Sequence, residues 1–324
     1  MDLEAFLAEW HNESPTMLVH TSGSTGKPKP MYVEKRRMEA SARITCDFLG
    51  LHEGDTALLC MSLDFIAGKM MVVRALTCGL QLMSIPPSGL PLWDGPVRFA
   101  AMVPLQVWNL LHDEQGSRRL REIDHLIIGG GAIDESLSAL LCDFPNHVWS
   151  TYGMTETLSH IALRRLNGPE RSDWYTPFEG VTIAVNNDGC LVINAPAVHD
   201  GLLQTNDIAL LDGRRFRILG RKDNVICSGG IKIQIEEVER LLRPYLPQPF
   251  MVTKVPDTKF GEQMVLLTES HDIAALQAVC RQQLPKYWQP RRYITVGQLP
   301  LTATGKPARK EAERLAQSAI TRNE

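Results

Sequence analysis

Residues 55–152 alternate short apolar runs with helix-period stretches, which predicts an α/β fold with a largely parallel sheet and flanking helices. From about residue 181, apolar runs separated by turn signals add antiparallel hairpins. Beyond residue 221, short helices and strands follow each other closely and add a small C-terminal α+β domain.

The elements follow in order. Residues 16–21 read as a buried strand entering a Gly/Ser/Thr-rich loop, and residues 34–49 as a helix stopped by Gly50. Strands are expected at 55–61, 80–85, 97–103, 125–129 and 147–152. Helices at 67–78 (stopped by Gly79), 105–113 and 135–142 are expected between them. Residues 181–185 and 190–194 flank Asn187-Asp188-Gly189 as one hairpin; 207–212 and 215–220 flank Gly213 as a second. The tail reads as helix 235–243, strands 249–255 and 263–268, helix 272–284, strand 291–296 and helix 308–319. The expected division is 1–221 and 222–324. Charge changes there too: residues 223–324 hold 14 Lys/Arg against 11 Asp/Glu, the remainder 20 against 26.

A chain of 324 residues with 44% hydrophobic and 22% charged residues can bury a substantial core without staples. Its net charge of -3 argues against a protein built to coat nucleic acid. No run of roughly 18 apolar residues occurs, so no membrane span is expected. The acidic, amphipathic start MDLEAFLAEW does not read as a secretory signal. The seven cysteines are dispersed and form no C-x-x-C pair, which fits reduced thiols in a cytoplasmic protein.

Four segments carry chemistry. Thr21, Ser22, Gly23, Ser24, Thr25, Gly26, Lys27, Pro28 and Lys29 place two glycines, four hydroxyls and two lysines in one loop. Glycines admit close approach of backbone N–H groups to an anion, and hydroxyls and ammonium groups complete a polyphosphate cradle. The spacing is not that of a Walker loop, and Pro28 stands where a magnesium-binding hydroxyl would be needed. Tyr152-Gly153-Met154-Thr155-Glu156-Thr157 sets an aromatic ring, a hydroxyl and a carboxylate at a strand's C-terminal end, where open α/β sheets bind ligands. Asp207 suits a pair of ribose hydroxyls, and Ser228-Gly229-Gly230 reads as a close-approach loop. Leu301-Thr302-Ala303-Thr304-Gly305-Lys306 presents a lysine on a polar loop. Taken singly, these segments also read as a flexible linker, ordinary turns and a solvated lysine.

In this order, TSGSTGKPK, YGMTET, TNDIA, GRKDN–SGG and TATGK resemble the acyl-adenylate-forming superfamily of acyl-CoA synthetases, luciferases and adenylation domains. DFIAGKMMVVRAL, GGGAIDESL and SGGIKIQIEEVE look most like the o-succinylbenzoate–CoA ligases of menaquinone biosynthesis. Two departures stand out. The phosphate loop begins at residue 21, so most of the usual N-terminal subdomain is expected to be missing, and whether a homodimer compensates stays open. The stretch that usually carries a histidine reads Ser62-Leu63-Asp64-Phe65.

The resemblance implies a ligase that uses ATP, Mg2+ and coenzyme A to adenylate a small-molecule carboxylic acid and then form its thioester. It implies that Thr21–Lys29 holds the β- and γ-phosphates, Glu156 the magnesium and Thr155 the α-phosphate. Tyr152 would pack on adenine opposite Gly130 and Gly131, and Asp207 would take the ribose hydroxyls beside Arg221. Lys306 would bridge carboxylate and α-phosphate. After a swing about Asp223, Ser228, Gly229 and Gly230 would replace Lys306 and line the thiol channel. A second carboxylate on the substrate needs a cation, and Arg74 offers the bidentate fork, with Lys69 or His160 as alternatives. A structural role for Arg74, another aryl- or fatty-acyl–CoA ligase, and a non-catalytic nucleotide- or CoA-binding homologue stay open.

Overall fold

The computed structural model describes residues 1–20, 30–133, 135–302 and 306–321. Seven strands form the main sheet, in the spatial order Gln81–Ser84, Thr56–Leu59, Phe99–Met102, His125–Ile128, His147–Gly153, His160–Arg165, Thr176–Pro177. The first five run parallel, His160–Arg165 runs against them, and Thr176–Pro177 pairs antiparallel to His160–Arg165. Phe99–Met102, His125–Ile128 and most of Thr56–Leu59 are buried apolar runs, the pattern of parallel strands covered on both faces. The helices Lys35–Leu49 and Ile66–Cys78 end at Gly50 (φ 62°) and Gly79 (φ 68°), left-handed caps that glycine adopts without strain. One apolar core runs from Phe6 through Phe99 and Leu126 to Phe216.

The two expected hairpins belong to one four-stranded antiparallel sheet, Thr182–Val185, Cys190–Asn194, Leu202–Asp212 and Arg215–Arg221 in sequence order. The third of these starts five residues before the expected 207, so Asp207 sits within a strand and not at its entry.

In the tail, Val225–Ser228, Ile231–Gln234, Phe250–Asp257, Gly261–Thr268 and Arg292–Thr295 form a five-stranded sheet. Its strands alternate. Phe250, Val252, Met264 and Leu266 join one apolar cluster, whereas Met251, Val265 and Leu267 join another on the opposite face. Ser228-Gly229-Gly230, expected as a close-approach loop, is the turn of the Val225–Ser228/Ile231–Gln234 hairpin. Both glycines have positive φ (58° and 83°), as a primed two-residue turn requires. A buried ion pair fixes the last helix, Arg309–Thr321. Arg309 donates from its two terminal nitrogens to the two oxygens of Glu239, each at 2.7 Å, and also to the Val252 carbonyl at 3.0 Å.

Sequence reading missed several elements. The helix Glu114–Glu122 offers only Leu120 as a buried apolar anchor, so it shows no apolar period. The strand Pro30–Glu34, antiparallel to Thr16–His20, is masked by its proline. Among the described residues no helix is long and apolar enough to cross a membrane.

His125 stacks on His147 with ring centroids 4.8 Å apart. Burial, reinforced by His147 and Arg98, pushes its pKa down to about 4. An unfolded histidine titrates near 6.5, so between the two values the unfolded chain binds the proton that the native state refuses. Acidification from pH 7 to 4 is therefore expected to remove about 2 kcal/mol through this residue, after allowance for partial solvent screening. Urea unfolding across that range should show the loss, and His125→Gln should flatten that part of the slope.

Candidate active site

Four parallel strands end on one side of the sheet at Leu59, Met102, Ile128 and Gly153. Strand order reverses between Thr56–Leu59 and Phe99–Met102, which makes that edge the ligand crevice of an open sheet. Ile128 lies opposite Ser150, so Gly130 and Tyr152 stand level on neighbouring strand ends. Gly130 has φ 78°, and a Cβ on Gly129 would lie 2.3 Å from Thr151 Oγ1, so this turn demands glycine.

Tyr152 and Asp207 come together across 55 residues. The Tyr152 hydroxyl donates to Asp207 Oδ2 at 2.7 Å, and Arg221 Nη1 donates to Asp207 Oδ1 at 2.9 Å. Asp207 lies directly opposite Arg221 in the antiparallel ladder. The Tyr152 ring stands edge-on to Phe216, with centroids 5.0 Å apart. Burial, with Asp207 beside it, pushes the Tyr152 phenol far up, so it stays a donor. Arg221 also donates to Asp223 at 3.1 Å.

Thr155 is buried and Glu156 half-buried in the single 3-10 turn Thr155–Thr157. Among the described residues Glu156 has no ion-pair partner. Next comes Leu158, at φ 65° and ψ -41°, with Ser159 N–H donating to the Thr157 carbonyl at 2.7 Å. This is a γ-turn of the rare, strained hand, at the one non-glycine residue with positive φ among the described residues. Leu158 is buried to 2% exposure, and packing holds the strain in place.

The γ-turn delivers Ser159 and His160 to Arg74, which lies on the helix Ile66–Cys78 and is 2% exposed. Arg74 Nη2 donates to Ser159 Oγ at 2.6 Å, and its Nε has no partner among the described residues. No carboxylate pairs with it among the described residues, and burial pushes its pKa down to about 10, so it remains charged at neutral pH. A surface role for Arg74 is thereby ruled out. Lys69 leaves this cluster: its ammonium donates to the Leu18 carbonyl at 3.1 Å and sits 5.9 Å from the Phe6 ring centroid. Ser159 and Thr45 were invisible to sequence reading. Thr45 meets His160 across 115 residues and carries no motif.

From the tail, Lys306 closes a turn in which its N–H donates to Thr302 Oγ1 at 3.1 Å and its carbonyl accepts from Thr302 N–H at 2.7 Å. Burial pushes the Lys306 ammonium down, and the nearby Arg221 charge adds to this. Lys306 thus lies within electrostatic reach of Arg221, which pairs with Asp207 beside Tyr152. Ser228, Gly229 and Gly230 form the tip of their hairpin, where a Cβ on Gly230 would meet nothing within 4 Å and one on Gly229 would lie 3.2 Å from the Phe260 ring. The expected phosphate loop Thr21–Lys29, and residues 303–305 beside Lys306, lie outside the described residues.

A mostly parallel sheet joined through Tyr152 to the Asp207–Arg221 pair of an antiparallel sheet belongs to the mixed α/β fold of adenylate-forming enzymes. The family described as AMP-binding enzyme matches residues 4–197, and the chain belongs to it, within its AMP-forming acid–CoA ligases. The chain is 28% identical over 311 residues to the 2-succinylbenzoate–CoA ligase of Salmonella typhimurium LT2, covering 90% of this chain and 67% of that one. It is similar to a crystal structure from Dyadobacter fermentans, an acyl-CoA synthetase (AMP-forming)/AMP-acid ligase II-like protein. That match has 32% identity and TM-score 0.65, and covers 96% of this chain and 92% of that one. The fold is shared with the o-succinylbenzoate CoA synthetase of Bacillus subtilis in complex with the acyl-adenylate OSB-AMP, at 23% identity, TM-score 0.75 and coverage of 91% and 68%. The same Bacillus enzyme in complex with ATP and magnesium ion matches at 23% identity, TM-score 0.73 and coverage of 91% and 69%.

Gly153 tests how tightly the site loop is held. A Cβ there would lie 2.2 Å from the Ser159 carbonyl oxygen, a backbone atom that cannot move aside alone. Gly153→Ala is expected to cost on the order of 2–3 kcal/mol by displacing the loop, read as a lowered midpoint in thermal unfolding.

Proposed function

We propose that the protein is an o-succinylbenzoate–CoA ligase that uses ATP, Mg2+ and coenzyme A. The observation that carries this reading is Arg74, a fully buried guanidinium with no carboxylate partner among the described residues and an unpartnered Nε, beside the site loop. A buried cation without a counter-ion is costly and is retained where an anion comes to it. A substrate with two carboxylates supplies that anion: one carboxylate reacts, and the other pairs with Arg74. The named ligase relatives support the same substrate.

The first half-reaction joins the reacting carboxylate to the α-phosphorus of ATP and releases pyrophosphate. The carboxylate is already ionised at neutral pH, so the step needs no base. Its obstacle is repulsion between anions, which cations and oriented N–H groups relieve. In this reading Lys306 lies between carboxylate and α-phosphate, Arg221 stands beside it, and Thr155 donates to the α-phosphate. Asp207 holds the ribose hydroxyls, and Tyr152, Gly130 and Gly131 border the adenine. Thr21–Lys29 holds the terminal phosphates. Among the described residues no cluster of three or more metal-ligating side chains exists. That suits magnesium, which takes one or two carboxylates and completes its shell with phosphates and water, and Glu156 is the available carboxylate. Magnesium would neutralise phosphate charge there.

The second half-reaction transfers the acyl group to the thiol of coenzyme A with loss of AMP. In this reading residues 222–324 swing about Asp223, withdraw Lys306 and bring in Ser228-Gly229-Gly230. The apolar clusters support the division, since the first ends at Phe216 and the second begins at Ile226.

ATP–pyrophosphate exchange tests the substrate. Exchange is expected with o-succinylbenzoate and not with benzoate or a fatty acid; the reverse preference overturns the reading. Lys306→Ala is expected to lower adenylation about 10²–10³-fold while sparing thioester formation from supplied acyl-adenylate. Equal loss of both half-reactions would refute that division of labour.

A further inference from the structure

Arg74 does not stand alone. Thr45 Oγ1 lies 3.1 Å from the Ser41 carbonyl and 3.2 Å from His160 Nε2. His160 Nδ1 lies 3.2 Å from Ser159 Oγ, and Ser159 Oγ lies 2.6 Å from Arg74 Nη2. Five groups from two helices and the site loop thus form one unbroken chain. His160, Thr45 and Arg74 are all buried.

The direction of each hydrogen bond follows by elimination. A guanidinium only donates, so Ser159 Oγ accepts from Arg74. A backbone carbonyl only accepts, so Thr45 spends its single hydroxyl hydrogen on Ser41. Thr45 Oγ1 must then accept from His160 Nε2–H. The ring is neutral in this arrangement and its Nδ1 is bare, so Nδ1 accepts the Ser159 hydroxyl hydrogen. In the opposite tautomer, Nδ1–H and Arg74 would both donate to Ser159. The Ser159 hydrogen would then have no acceptor among the described residues. Burial, together with the Arg74 charge, pushes the His160 pKa well below its ordinary value, which agrees with a neutral ring.

We propose that His160, as the neutral Nε2–H tautomer, is a positioning residue that holds Arg74 through Ser159, leaving the Arg74 Nε–H free for the non-reacting carboxylate of the substrate. The proposal rests on the ligase reading for the identity of that carboxylate, but the relay itself does not. Ser159 works because it can accept from Arg74 and donate to His160 at once. The relay stops Arg74 from rotating to satisfy Nε within the protein, so an unpaired donor is kept for an incoming anion. Such preorganisation lowers the ordering cost at binding. In this proposal His160 acts only through Ser159.

Two measurements decide it. In substrate-free protein labelled with 15N-histidine, two-bond 1H–15N correlation reports the tautomer of each ring, with His160 assigned by the signal lost in His160→Asn. An Nε2–H ring is expected at His160; an Nδ1–H ring or an imidazolium overturns the relay. In the second measurement, Ser159→Ala and His160→Leu should each raise KM for o-succinylbenzoate about tenfold or more, the scale of one lost hydrogen bond to a charged group. The KM for ATP should not move. His160→Asn keeps an acceptor oxygen where Nδ1 stood and should recover most of the loss. Equal KM changes in the Asn and Leu variants overturn the positioning role. A wild-type protein without o-succinylbenzoate-dependent exchange refutes the substrate reading alone, and the ring tautomer then decides the relay by itself.

Discussion

The carboxylate of Asp207 is the joint on which the site depends. It is 12% exposed and would be costly to bury alone, yet one oxygen accepts from Tyr152 and the other from Arg221. Tyr152 ends a strand of the parallel sheet, whereas Asp207 and Arg221 belong to the antiparallel sheet, so three hydrogen-bonding groups lock two sheets together. Arg221 also lies within electrostatic reach of Lys306 from the tail. Burial first, and the Arg221 charge in addition, push the Lys306 ammonium down. An arrangement that repels itself when empty is relieved by a polyanion, and the proposed nucleotide is one. In the proposed cycle Lys306 would gain more from the nucleotide than from its protein neighbours.

Arg74 follows the same logic with a different solution. Its charge cannot leave, because the helix Ile66–Cys78 is packed in the core and Gly68 lies so near Ser62 that a Cβ would fall 2.3 Å from that carbonyl. The charge is tolerated through a hydroxyl, the ring of Phe99 at 6.0 Å and a long sulfur contact to Met71 at 3.8 Å. These are weaker partners than a carboxylate. A carboxylate supplied by the protein would neutralise the fork and close the site to an anionic ligand.

Much of this was legible in the sequence for a local reason. Parallel strands buried on both faces write themselves as apolar runs, so 97–103 and 125–129 were read close to their observed bounds. Glycine caps at Gly50 and Gly79 marked their helix ends because only left-handed backbone fits there. Motif residues were legible because each carries its chemistry within a few positions. What failed was long-range or cryptic. The strand His160–Arg165 mixes four buried residues with two arginines and shows no alternation. The γ-turn at Leu158 carries no signal, since leucine is an improbable residue for positive φ and is held there by its own burial. Arg74 and His160 were singled out for charge, but Thr45 and Ser159, which decide how that charge is held, look like any helix or loop hydroxyl.

The tail has a buried clamp of its own and meets the rest through mostly exposed side chains. Within it, the Arg309–Glu239 pair is 16% and 12% exposed, doubly hydrogen-bonded, and placed three residues after Lys306. Breaking such a pair one-sidedly costs about 3–5 kcal/mol. Across the junction, Arg240 reaches Glu135 at 3.4 Å with side chains 51% and 63% exposed, a surface pair worth about 0–1 kcal/mol. Further polar contacts lie at the chain crossing itself: Lys222 to Asp188 at 2.7 Å, Asn206 to Asp223 at 3.3 Å, Arg221 to Asp223 at 3.1 Å and Gln234 to the Arg221 carbonyl at 3.0 Å. The clamp ties the last helix to the tail sheet three residues after Lys306, and in the proposed cycle the mostly exposed junction contacts would set how readily the unit departs. In the proposed cycle, such a lysine can be exact when present and still removable, because the energy that aims it is stored on the moving side of the hinge.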